Sequence, residues 1–180
     1  MSPIHQLPDD YRQVQHLVLT EGRTLALLNV LSIALLVPFV ALMIGWTALV
    51  MAVRGPFPGG EDLPFWLLWL AGIAVFPLHE WIHGLAITWA GHKPRYGVKT
   101  VWIIPVVFFA TADGAYFRRG EFVVIALAPV VAITLLALAL VALLPDGLTV
   151  YVAIAAILNG AGAIGDLWMT AVVLRYPPDA

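Results

Sequence analysis

Apolar residues in this chain do not alternate with polar ones at a helical or strand period; they run together in long blocks that are hydrophobic all round. Three blocks, Thr24–Val53, Pro64–Ala90 and Phe122–Leu144, are free or nearly free of Asp, Glu, Lys, Arg and His. Each is long enough to cross a bilayer at about 1.5 Å of rise per residue. A fourth block, Leu148–Leu174, has the same length and apolarity but carries Asp166. Between the second and third lies "VWIIPVVFFATA", Val101–Ala112, which is about half the length needed to cross. It has Pro105 in its middle and is rich in β-branched and aromatic residues, so it reads as a re-entrant or interfacial β-like segment. Irregular backbone at membrane depth is tolerated only where it packs on protein or faces a wet cavity, which makes this segment a candidate wall of a site. The expected fold class is therefore an all-α membrane protein of about four transmembrane helices with one short β-like segment. The N-terminal stretch "DDYRQVQHLVLTEG" fits an interfacial helix or a strand, and Val14, Leu17, Val18 and Leu19 do not decide between them.

Composition agrees with the block pattern. Of 180 residues, 62% are hydrophobic and 11% charged, and the mean hydropathy is +0.94, outside the range of soluble globular domains. A net charge of −2 offers no basic surface for nucleic acid, and no linker, charge block or repeat divides the chain. The absence of cysteine excludes a disulfide, a thiolate nucleophile and a Cys-based metal site, so any metal needs His and carboxylate ligands. Residues 1–23 contain Asp9, Asp10 and Glu21 and lack a short apolar core with a small-residue cleavage site; they do not read as a signal peptide. The expected division is a cytoplasmic segment over residues 1–23, one membrane domain over 24–174 and a cytoplasmic tail over 175–180.

Positive charge orients the spans. Arg12 and Arg23 precede the first, and Lys93, Arg95, Lys99, Arg118 and Arg119 lie between the second and third. Arg175 follows the fourth; only Arg54 falls on the other side. A four-span chain with both ends inside places eight of the nine Lys and Arg residues in the cytoplasm. The expected location is the cytoplasmic membrane, with both termini cytoplasmic.

Within the second block, "PLHEWIHG" carries three ionisable residues at a depth where each costs several kcal/mol unless partnered. Residues four apart share a helix face, so His79 and His83 can aim at one ion with Glu80 beside them. This is the HExxH arrangement, two zinc ligands and a carboxylate that handles the proton of an activated water. A pair of satisfied interior histidines bonded to Glu80 is the plainer alternative. A tetrahedral site with one open position needs a third protein ligand, and the only other Asp, Glu, Lys, Arg or His in the four spans is Asp166, whose plainer alternative is a protonated carboxyl hydrogen-bonded to a neighbouring helix. Depth agrees, because at about 1.5 Å per residue His79 and His83 fall roughly 22–29 Å beyond Pro64 and Asp166 roughly 27 Å beyond Leu148. Asn159, seven residues before Asp166, is either a donor to a bound peptide or oxyanion, or an interhelical hydrogen-bonding residue. Pro77 is a candidate kink, Gly84, Gly91, Gly160, Gly162 and Gly165 are candidate sites of close backbone approach, and His92 is expected as a solvated interfacial residue. Gly160-Ala-Gly162-Ala-Ile-Gly165 matches GxGxxG in letters only, for no strand–helix context surrounds it.

"HEWIHGLAITWAGHKP", "GVKTVWIIPVVFF" and "LNGAGAIGDLWM" resemble a bacterial membrane zincin peptidase family, formerly a domain of unknown function, over most of the chain from the first span onward. More distantly the layout is similar to site-2 intramembrane metalloproteases. The resemblance implies that His79, His83 and Asp166 are zinc ligands, Glu80 the catalytic base and Asn159 a substrate contact. The chain departs from the site-2 pattern in lacking prolines between Asn159 and Asp166 and in having Leu167 where a glycine follows the Asp. The expected function is hydrolysis of a peptide bond in a membrane protein or peptide substrate, with zinc as cofactor and the lipid bilayer as surroundings. The alternative is a non-catalytic zinc-binding membrane protein. A di-iron bundle would need a second ExxH, and two histidines on one helix face cannot ligate a haem from opposite sides.

Overall fold

The structure is a computed structural model that describes residues 7, 11–16, 22–60, 63–101 and 104–177. Its elements are α1 (Gly22–Arg54), α2 (Trp66–Trp89), β1 (Arg95–Val101), β2 (Ile104–Thr111), α3 (Arg119–Leu143), α4 (Asp146–Gly162) and α5 (Ile164–Val173). Three helices, α1, α2 and α3, are long and apolar enough to cross a membrane, and α4 with α5 passes the same test as a pair bent by 41°. The block expected as one fourth helix is thus a bent pair, which has the form of either a broken span or a re-entrant loop. Gly160, Gly162 and Gly165 flank the break, and each glycine costs a helix interior about 1 kcal/mol relative to alanine. On α1 the aliphatic residues Val30, Ile33, Val37 and Ile44 are 63–70% exposed and follow a helical spacing, an apolar outer stripe with no polar counterpart.

Of the stretch 101–112, Ile104–Thr111 forms strand β2, Val101 ends β1 and residues 102 and 103 lie outside the described ones; the structure adds a partner that apolar pattern could not announce. β1 and β2 are antiparallel, with Arg95 opposite Thr111, Tyr96 opposite Ala110 and Val98 opposite Phe108, and an irregularity at Lys99/Thr100. The polar sequence of β1, RYGVKTV, hides its strand character. Of the N-terminal stretch, Tyr11–His16 is neither helix nor strand, and Leu17, Val18 and Leu19 lie outside the described residues.

The chain divides into two compact units. In Val30–His79 with Pro129–Ile164 the core is Met43, Val50, Ala137, Val141 and Ala156. Two part-buried polar groups there find backbone partners: Trp46 Nε1 donates to Leu138 O and Ser32 Oγ to Ala161 O, both at 2.8 Å. Arg54 reaches the C-terminus of α3, where its guanidinium donates to Leu144 O at 2.8 Å and Ala142 O at 3.3 Å and pairs with Asp146. Asp146 in turn accepts from the Phe57 amide at 2.9 Å. Cationic groups suit the carbonyl-rich end of a helix, so Arg54 has a local structural use at the end of α3.

The other unit comprises Met1–Asn29, Glu80–Ala128 and Gly165–Ala180. Its core is Ala86, Ile87, Ala90 and Ile125, with Ala110, Ala112, Phe117 and Ala128 packed against it. The start of α3 is held by Glu121, which accepts from the Arg118 amide and guanidinium, each at 2.9 Å. His92, expected in solvent, is only 6% exposed and meets the Phe117 ring edge-on at 4.9 Å. The reason is the end of α2: Gly91 at φ 87° turns the chain back, so His92 N–H bonds to Ile87 O and the ring folds inward.

Candidate metal centre

The HExxH stretch occupies the second half of α2, which continues as helix through Pro77. His79 and His83 lie one turn apart on this unbroken helix, so their shared face follows from helix geometry alone. Both are 8% exposed. A carbonyl oxygen can only accept, so the 2.8 Å contact of His83 Nδ1 with Ile125 O makes Nδ1 the protonated nitrogen. The lone pair is then on Nε2, which lies 3.4 Å from Asp166 Oδ1. Two lone-pair groups facing each other at that distance repel unless a proton or cation lies between them. Ligands about 2.0–2.2 Å from a tetrahedral zinc are themselves about 3.3–3.6 Å apart, which matches.

His79 completes the group: one donor atom from each of His79, His83 and Asp166 lies within 4.8 Å of the other two. His79 Nδ1 is 2.8 Å from Asn159 Oδ1. Two imidazoles and one carboxylate, with no thiolate, suit zinc, and three protein ligands leave the fourth position that catalytic rather than structural zinc sites keep open. Asp166 sits in the first turn of α5, where the helix N-terminus favours a negative charge. The bend after Gly162 is what begins a new helix there.

Glu80, the residue after His79, is held from another direction. Its Oε2 accepts the Ala110 amide of β2 at 2.7 Å. That amide therefore points to α2 instead of across the hairpin, as a non-hydrogen-bonded pair with Tyr96 allows. The β-like segment thus contributes a backbone donor to the carboxylate.

Asn159 is 1% exposed, and its Nδ2 has no hydrogen-bond partner among the described residues. Of the two roles left open from sequence, the structure shows an interhelical bond from Oδ1, made to a candidate ligand. Two of the glycines expected to admit neighbouring backbone, Gly84 and Gly160, admit aromatic side chains instead. A Cβ at Gly84 would sit 1.8 Å from Tyr96 Oη, and one at Gly160 would sit 2.4 Å from the Phe39 ring. The Ile125 carbonyl and Ala110 amide escape sequence reasoning altogether, since a backbone group carries no residue signature.

Residues 72–180 match a protein family described as "Putative zincin peptidase". No curated protein and no solved structure matches the chain. The family match covers more than half of the residues, and the chain belongs to that family.

Proposed function

We propose that this member of the zincin peptidase family is an intramembrane zinc metalloprotease that hydrolyses a peptide bond of a membrane protein or peptide. In this reading the chain crosses the cytoplasmic membrane four times, the α4–α5 pair forming the last crossing, with both termini in the cytoplasm. The observation that carries the proposal is the convergence of His79, His83 and Asp166 donors within 4.8 Å, next to a carboxylate that is not part of the ligand group. A purely structural ion needs ligands and no base.

When bound, zinc would supply Lewis acidity, lowering the pKa of a water toward 7 and polarising the scissile carbonyl. The chain's own groups do the rest. His79, His83 and Asp166 hold the ion. Glu80 takes the proton of the attacking water on a carboxylate oxygen and returns it to the leaving amine nitrogen. The Ala110 amide fixes Glu80 Oε2 so that the carboxylate does not swing away between the two transfers. Asn159 Nδ2, buried and without a described partner, is a candidate donor to the substrate carbonyl.

A peptide bond inside a helix is shielded by its own hydrogen bonds, so the substrate must be extended when it is cut. The β2 edge that turns the Ala110 amide toward Glu80 presents the Phe108 backbone the same way, by the two-residue period of a strand. Strand addition along this edge leads a substrate to the carboxylate.

The test is Glu80→Gln in the full chain, purified in detergent with zinc and incubated with a set of transmembrane peptides. Cleavage should fall by about 10²–10⁴-fold while zinc content stays constant. Loss of zinc with activity untouched would refute the assignment. A wild type that holds zinc yet cleaves none of the peptides favours the non-catalytic alternative.

A further inference from the structure

Asn159 differs from the other polar groups near the candidate centre in being almost fully buried while using only one end of its carboxamide. It is 1% exposed, Oδ1 lies 2.8 Å from His79 Nδ1, and Nδ2 has no partner among the described residues. Burying an amide donor without a hydrogen bond costs about 1–3 kcal/mol. A leucine of similar volume would avoid that cost in so apolar a setting. The polar residue therefore needs a use that outweighs its own desolvation, and in the protein without substrate that use lies with Oδ1.

The chemistry of the contact identifies it. Oδ1 only accepts, so His79 Nδ1 must carry the proton and donate it, which leaves the lone pair on Nε2. Had the carboxamide the opposite orientation, Nδ2 would donate to Nδ1. Nε2 would then carry the proton, and a protonated nitrogen cannot ligate a metal. His83 shows the same device with a different acceptor, its Nδ1 donating to Ile125 O at 2.8 Å. Both histidines of the HExxH stretch are thus held in the one tautomer that offers Nε2, one by a backbone carbonyl and one by Asn159. Ligating histidines generally need such a partner for the far nitrogen, which sets ring orientation and tautomer and raises basicity.

We infer that Asn159 is a positioning residue for His79, holding it as the Nδ1–H tautomer with Nε2 turned to the metal, and that it acts on metal affinity before any substrate is present. The inference rests on the zinc reading given above but assigns Asn159 Oδ1 a role separate from the substrate contact proposed for Nδ2. Asn159's place near the end of α4 suits this. The next residue, Gly160, lies against Phe39, and Ala163 N–H closes on Asn159 O at 3.0 Å, so the backbone that carries the carboxamide is fixed on both sides.

The experiment uses the full chain in detergent micelles. Zinc affinity is measured by competition with a chromophoric chelator for wild type, Asn159→Leu, Asn159→Ser and Asn159→Asp. Leu keeps the volume and removes the acceptor; Ser is too short to reach His79 and guards against a misfolded Leu variant. Asp keeps the acceptor oxygen. The expected result is a 10–100-fold loss of zinc affinity in Leu and Ser, with Asp within a few-fold of wild type or tighter. A second readout needs no zinc: nitrogen-15 shifts of metal-free protein, assigned with His79→Ala, should show His79 protonated at Nδ1 in wild type and a mixture of tautomers in Leu or Ser. Unchanged zinc affinity in the folded Leu or Ser variant overturns the inference, as does a wild-type His79 protonated at Nε2. If wild type binds no zinc, the metal reading fails, while the tautomer measurement still decides whether Asn159 holds His79.

Discussion

Replacing Gly160 by alanine tests the packing that carries the candidate centre. A Cβ built there meets the Cδ1, Cε1 and Cζ atoms of Phe39, each at 2.4 Å, about 1 Å short of ordinary van der Waals contact. Three ring atoms at equal distance mean that the methyl would press on the ring face, where no small rotation about the ring axis gives relief. Overpacking of this kind costs about 1–3 kcal/mol. Against it stands the gain of removing a glycine from a helix interior, about 0.5–1 kcal/mol. The balance is a net loss of about 1–2 kcal/mol, opposite in sign to what propensity alone predicts. Phe39→Ala removes the obstructing ring, so in that background Gly160→Ala should be neutral or stabilising. The two changes should couple by about 1–3 kcal/mol, the overpacking cost itself, in a double-mutant cycle, read from melting temperatures in one detergent. Because Asn159 precedes Gly160, the alanine variant should also lose zinc affinity and recover it with Phe39→Ala. Stabilisation by Gly160→Ala in the presence of Phe39, or an additive cycle, would refute the reasoning.

Two further outcomes follow from the same geometry. Removing the Asp146 carboxylate by Asp146→Ala leaves the Arg54 guanidinium with carbonyl partners only, in a pair whose side chains are each 22% exposed, and strips the Phe57 amide of its acceptor. A loss of about 1–3 kcal/mol is expected, visible as a lowered melting temperature; an unchanged one would mean that the pair does not hold the α3–α4 connection. For the metal, zinc at 100 times its dissociation constant should stabilise the fold by about 2.7 kcal/mol, so a strong chelator should lower the melting temperature of wild type. His79→Ala and Asp166→Ala should each lack stoichiometric zinc and be indifferent to the chelator, and retention of zinc by either would remove that residue from the ligand group.

Much of this protein is legible in its sequence because membrane-like chains leave so few polar residues to choose among. In blocks free of charge, His79, Glu80, His83 and Asp166 stand out by kind alone, and helical rise is regular enough to compare their depths. The length and placement of α1, α2 and α3 follow from the apolar blocks to within a few residues, for the same reason. What the pattern of residues could not specify is whatever depends on direction or on backbone groups. The break after Gly162 that starts a new helix at Asp166, the pairing of a polar β1 with β2, and the inward turn of His92 at Gly91 are outcomes of local φ/ψ choices and of packing. The Ile125 carbonyl on His83, the Ala110 amide on Glu80 and the Asn159 carboxamide on His79 are tertiary contacts across 42, 30 and 80 residues. Composition named the candidate ligands because ionisable groups in apolar surroundings must be there for a reason. Only the folded chain decided which nitrogen each histidine offers, because a tautomer is set by the atom on the far side of the ring.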